Sequence, residues 1–208
     1  MTITASERVV LAKLLPHLTW RHHGIGCLQA YVRENVEPEV RVHLWHPSLV
    51  RPGIRGCGDV HDHRFDLESR VLHGKLAETR WSPPDAYDLL TREQPESVDI
   101  WEVQNARAAG AAAGFDGMCV QAYVGVQMHE RAVQHYSPDA VYQYWLPRGM
   151  FHRTVAEGLA ITVCTMHEKR GQAHILVPAG KEPVHAFGAP ADAEVQSVVL
   201  AEAIEALS

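Results

Sequence analysis

Between about residues 24 and 180 the chain is cut again and again by Gly, Pro and Asp into short runs that alternate apolar with polar side chains. Such runs read as β-strands, and helix-promoting residues are confined to the two ends, which predicts a β-sandwich or barrel. The run from Gly24 to Arg33 alternates Leu28, Ala30 and Val32. After the turn at Glu37-Pro38-Glu39, Val40, Val42 and Leu44 alternate with Arg41, His43 and Trp45, a two-faced strand. Pro47, Pro52, Gly53, Gly56 and Gly58 then mark a loop, followed by a strand from Val60, a turn at His73-Gly74 and a strand from Lys75 to Trp81. Residues 82–96 form a surface excursion around Tyr87 and Leu89-Leu90, and the Ala/Gly tract from Ala106 to Gly117 has almost nothing to bury and should be the most mobile internal loop. Further strands are expected from Val98 to Glu102, Met118 to Met128, Val141 to Leu146, Leu159 to Met166 and Ile175 to Pro178.

At the N-terminus, Ser6 and Glu7 followed by Val9, Val10, Leu11, Leu14, Leu15 and Leu18 predict a capped amphipathic helix over about 6–18, packed on the outside of a sheet. At the other end, Val195, Val198, Val199, Ala203, Ile204 and Leu207 share one helical stripe, which either covers a barrel face or makes a subunit contact. No repeat or long linker divides the 208 residues, so one domain is expected: a helix within 1–20, a barrel over 24–180 and a helix within 190–208.

The formal charge of -6 is spread without long runs of one sign, which argues against nucleic acid or an anionic membrane as a partner. The N-terminus has no basic stretch followed by an apolar block, and no run approaches the ~20 apolar residues of a membrane span, so a soluble cytoplasmic protein is expected. Cys27, Cys57, Cys119 and Cys164 have no CxxC spacing and sit in or beside apolar segments, as buried reduced thiols do.

Chemistry is concentrated in the stretch GDVHDHRFDLESRVLHG, from Gly58 to Gly74. If His61 and His63 lie on one strand, both imidazoles leave the same face about 7 Å apart along the backbone, which is a chelating pair. With 14 His in the chain an HxH by itself says little, but Pro147, Gly149 and His152 make a later P-x-G-x-x-H turn just before another apolar run. Three neutral imidazoles converging from rigid strands would bind a divalent first-row metal and leave positions open.

An HxH, an acid, a Gly at position 74 and a later PxGxxH together resemble the two motifs of the cupin superfamily, from about Gly53 to Met166. The resemblance implies a single antiparallel jelly-roll barrel, mainly β, with the HxH strand beside the strand of the later His. It also implies one metal ion held by His61, His63 and His152, with Fe(II) favoured and Mn, Ni, Cu or Zn fitting the same ligands. The family's acid follows the second His by four or five residues and precedes the Gly by seven. Glu68 meets the longer spacing as ligand or catalytic acid, but the position seven before Gly74 is Leu67, and strand parity turns Glu68 outward. A three-His site, as in the thiol dioxygenase branch of the cupins, is the rival, and Ala156 stands where the second motif usually closes with Asn.

Arg64, Arg70 and Tyr144 are the candidates for contacting a small-molecule substrate, with salt-bridged surface arginines and barrel filling as the plainer readings. His129, His135 and His167 are candidates for a supporting shell, His22 and His23 are expected to be exposed, and His43 beside Trp45 is as suited to packing as to chemistry. The leading function is an Fe(II) dioxygenase of a small molecule. The alternatives are a metal-dependent isomerase, lyase or hydrolase using Glu68, and a non-catalytic binding barrel. A homodimer is implied by the resemblance.

Overall fold

The computed structural model describes residues 4–23, 25–50, 53–54, 57–85, 88, 94–103, 119–184 and 192–208. The expected excursion around Tyr87 and Leu89-Leu90 and the Ala/Gly tract therefore fall largely or wholly outside the described residues. Helix α1 is Ala5–Leu14, followed by a 3-10 turn at Leu15–His17. Its cap is Thr4 rather than Ser6: the Thr4 hydroxyl accepts from the Glu7 amide while the Glu7 carboxylate accepts from the Thr4 amide, a capping box.

Thirteen strands follow among the described residues: β1 Arg21–His23, β2 Ile25–Arg33, β3 Glu39–Val50, β4 Val60–His61, β5 Asp66–His73, β6 Leu76–Ser82, β7 Glu96–Val103, β8 Cys119–Glu130, β9 Gln134–Tyr136, β10 Gln143–Leu146, β11 Phe151–Ala156, β12 Ala160–His167 and β13 Ala173–Pro178. Helix α2, Ala193–Leu207, starts at Asp192, whose carboxylate accepts from the amides of Glu194 and Val195. The loop expected from His46 is still strand as far as Val50, and β1 and β9 are additional strands too short to show an alternation.

The strands make two antiparallel sheets, ordered β1-β2-β3-β12-β5-β10 and β11-β4-β13-β7-β8-β6-β9. In the second, β11 also pairs with β6, so the pairing runs round a closed circuit. This is a mainly β, jelly-roll arrangement with helices at its two ends.

Two apolar layers fix which way the first sheet faces. Leu28, Val42, Leu44 and Ile161 pack outward against Leu11, Leu15, Val199, Ala203 and Leu207, so the two helices cover the sheet from outside. Val199, Ala203 and Leu207 recur every four residues and form the buried stripe, whereas Val198 is 50% exposed. Between the sheets lies a second layer of Cys27, Trp45, Phe65, Leu67, Leu146 and Met166, and all but Met166 line the site. The alternation in β3 consequently has the opposite sense to a simple oil-drop reading: its apolar residues face the helices, and Arg41, His43 and Trp45 face the interior.

Candidate metal centre

The HxH pair is not carried on one strand. His61 ends β4 in the second sheet, and by Asp66 the chain has crossed to β5 in the first, with His63 in the crossing. The crossing is pinned from several sides. Asp62 turns away to β13, where its carboxylate accepts from the His174 amide and lies 2.9 Å from His174 Nδ1. The carbonyl of His63 accepts from the Gly149 amide at 3.1 Å, and the carboxylate of Asp66 accepts from the Arg148 amide at 2.8 Å. The PxGxxH turn is thus tied directly to the segment holding His63, and Gly149 takes the left-handed φ of 77° that this turn uses.

His152 lies on β11 directly opposite His61 on β4. Ring centroids are 4.6 Å apart for His61 and His152, 4.9 Å for His63 and His152, and 5.0 Å for His61 and His63. One ligand nitrogen from each lies within 4.8 Å of the others, a group able to hold one metal ion. Nδ1 of His61 is 3.2 Å from the Asp59 carbonyl and Nδ1 of His152 is 3.2 Å from the Met150 carbonyl. A carbonyl can only accept, so both Nδ1 atoms carry hydrogen and both Nε2 lone pairs are left for a cation. Burial holds all three rings below their ordinary pKa, and the neighbouring imidazoles add to this at His63 and His152. Neutral imidazole is the form that ligates, so this donor set fits a divalent first-row metal.

The centre opens into a cavity of about 230 Å³ between the sheets. Arg64 and Tyr144 line it; Glu68 and Arg70 do not. Glu68 lies on the outer side of β5, accepting a 2.8 Å hydrogen bond from Gln143, while the inward positions are Leu67, Ser69 and Val71, so parity excludes the acid from the triad. Replacing Glu68 with Ala is accordingly expected to leave metal content at that of the parent and to change stability by about 0.5 kcal/mol or less, as measured by elemental analysis and thermal unfolding. Arg70 is likewise turned away from the centre, toward Glu7 of α1. Tyr144 is buried and stacked on Tyr136 at 4.2 Å.

The supporting imidazoles differ from those expected. His129 lies 3.7 Å from Asp88, His135 is exposed, and His167 lies beside Trp145 with the rings tilted and 5.7 Å apart, none of them lining the cavity. His23, expected at the surface, is buried with its ring 5.9 Å from that of His61, and His43 also lines the cavity. Burial, with Arg41 nearby, depresses His43 to about 3. Arg41 is the cationic group that sequence reasoning passed over, although its alternation with Val40 and Val42 was the signal available.

An HxH segment beside the strand of a later histidine, joined through a PxGxxH turn inside two antiparallel sheets, is the arrangement that the sequence resemblance to the cupins implies. No family model and no curated protein sequence matches the chain. Among solved structures, an RmlC-like cupin from Shewanella frigidimarina is similar over 73% of this chain and 84% of its own, at 14% identity and a TM-score of 0.33. CapF, in complex with the inhibitor 3-isopropenyl-tropolone, is similar over 73% of this chain and 30% of its own, at 13% identity and a TM-score of 0.35. The E. coli protein ycfD is similar over 80% of this chain and 31% of its own, at 11% identity and a TM-score of 0.28. Among the described residues no helix is long and apolar enough to cross a membrane.

Proposed function

We propose that the chain is a mononuclear metalloenzyme that uses Fe(II) to oxygenate a small molecule. The observation that carries this reading is the convergence of three neutral imidazoles, without a carboxylate among them, in the lining of one cavity. His61, His63 and His152 would hold the ion. Iron held by three protein nitrogens supplies open coordination positions at which O2 and a substrate can meet.

The remaining side chains prepare the space around that point. Phe65 stacks on His63 with centroids 4.9 Å apart, and with Leu67 and Leu146 it gives the cavity an apolar wall. Burial raises Tyr144 well above the ordinary phenol range, so its Oη keeps its proton beside Ser69. The same effect raises Cys27 and Cys164, so neither is a ready thiolate nucleophile. The alternative isomerase, lyase or hydrolase reading called on an acid such as Glu68 as its proton carrier, and the Glu68 carboxylate lies on the outside of β5.

Oxygen uptake by Fe(II)-reconstituted protein, measured over a panel of small organic acids, thiols and phenols, tests the proposal. Uptake with at least one compound, absent in His152→Ala, is expected. Turnover under argon with Zn(II) or Mn(II), and no uptake with any compound, would overturn it.

A further inference from the structure

The inward face of β3 sets a guanidinium in the cavity with no carboxylate in direct contact among the described residues. Arg41 lies with its Cζ 4.4 Å from the ring centroid of Tyr31 and 5.6 Å from that of Phe65, the same Phe65 that stacks on His63. A single aromatic ring therefore separates Arg41 from the triad. Its Nη2 donates to the Tyr31 hydroxyl and its Nη1 makes a long 3.4 Å contact with Gln29 Oε1, while Nε is buried without an acceptor. A guanidinium has five N–H donors, so most of this fork is uncommitted.

Acids that could answer the charge are engaged elsewhere. The carboxylate among the cavity-lining residues is Asp62, which is spent on His174. Glu39, two residues before Arg41 on β3, is paired with Lys169 and accepts from the Asn35 amide, and it feels the Arg41 charge more weakly, without touching it. Among the described residues none is in salt-bridge contact with Arg41. A half-buried guanidinium with aromatic rings beside it and no carboxylate in contact is suited to a ligand that brings a negative charge within hydrogen-bond reach.

We propose that Arg41, flanked by Gln29 and Tyr31, binds the carboxylate of a small organic acid whose other end reaches the His61, His63 and His152 centre. This names the substrate class for the enzyme proposed above and rests on that reading for the role of the metal end. The planar fork of arginine matches a carboxylate in bidentate fashion, and a cavity of about 230 Å³ restricts the acid to a small one. Arg64, also lining the cavity, adds a second positive charge to it.

The test is calorimetric titration of Zn(II)-loaded and of metal-free protein with hydroxy- and amino-substituted carboxylates of two to five carbons, each beside its primary amide. At least one acid should bind where its amide does not. Arg41→Gln should weaken that acid about 30-fold or more with metal content unchanged, and Arg41→Lys should recover part of the loss. Equal binding of acids and amides, no acid binding, or an acid affinity unmoved in Arg41→Gln would overturn the proposal. The metal-free arm separates the two readings: acid binding through Arg41 in a protein that takes up no metal sustains the anion site and removes the metalloenzyme, and metal uptake without acid selectivity does the reverse.

Discussion

Metal-free protein moved from pH 7 to pH 5 is expected to lose most of its thermal stability. His23, His43, His61, His63 and His152 all line one cavity, buried or half-buried, and all are held below their ordinary pKa, chiefly by desolvation. The unfolded chain binds protons at these positions near pH ~6.5, while the native state binds them less readily, so stability is complete above that pH and falls as pH drops below it. Each such group costs up to about 1.4 kcal/mol per pH unit, and several acting together approach the 5 to 15 kcal/mol that holds a typical domain.

The opposing contribution is small. Glu78, raised by burial, takes up a proton earlier in the native state and offsets one group. Asp88, lowered to about 2 by Arg131, and Asp99, lowered by the amides of Gly180 and Gly125, lose their stabilising effect only further down, below about pH 4. Circular dichroism melts across pH 7.5 to 5 should give a slope of more than one proton taken up on unfolding, and a His43→Phe variant should show a shallower one. A melting temperature constant down to pH 5 would contradict the burial of these rings.

A second large effect is expected at the turn between β5 and β6. Gly74 has φ 76°, and a Cβ there would fall on the Leu159 carbonyl oxygen and within 2.8 Å of Ala160 Cα. Gly74→Ala therefore combines the cost of a left-handed L-residue with a collision against backbone that has no rotamer to yield, about 3 kcal/mol or more. Gly158→Ala is the control, because its φ is 83° but nothing lies within 4 Å of the added methyl, leaving about 1 kcal/mol of conformational cost. Urea unfolding of the two variants should differ by at least 2 kcal/mol on this basis, and equal losses would mean that Gly74 is kept for its φ alone.

Much of the site was legible because its spacing is local to two motifs. His61 and His63 with Gly74, and Pro147 with Gly149 and His152, identify the triad without coordinates, and parity alone turns Glu68 outward. What the chain conceals is direction. Alternation says which residues share a face and leaves open which face is inside. In β3 the apolar set Val42 and Leu44 is buried beneath helices, so the polar set with Arg41 and His43 is the one that meets the cavity. His23 was hidden for a related reason, since β1 has only three residues and too little length to show a period. The break after β4 was equally invisible, because a crossing between sheets that preserves parity leaves no mark on the pattern of apolar residues.

The most direct measurement is calorimetric titration of chelator-stripped protein with a divalent first-row cation, run on the parent and on His61→Ala and His152→Ala. Binding of one ion per chain is expected in the parent, weakened on the order of 100-fold or more in each variant while circular dichroism shows the fold retained. One ion per chain bound with unchanged affinity in both folded variants would mean that the three imidazoles do not meet around a cation.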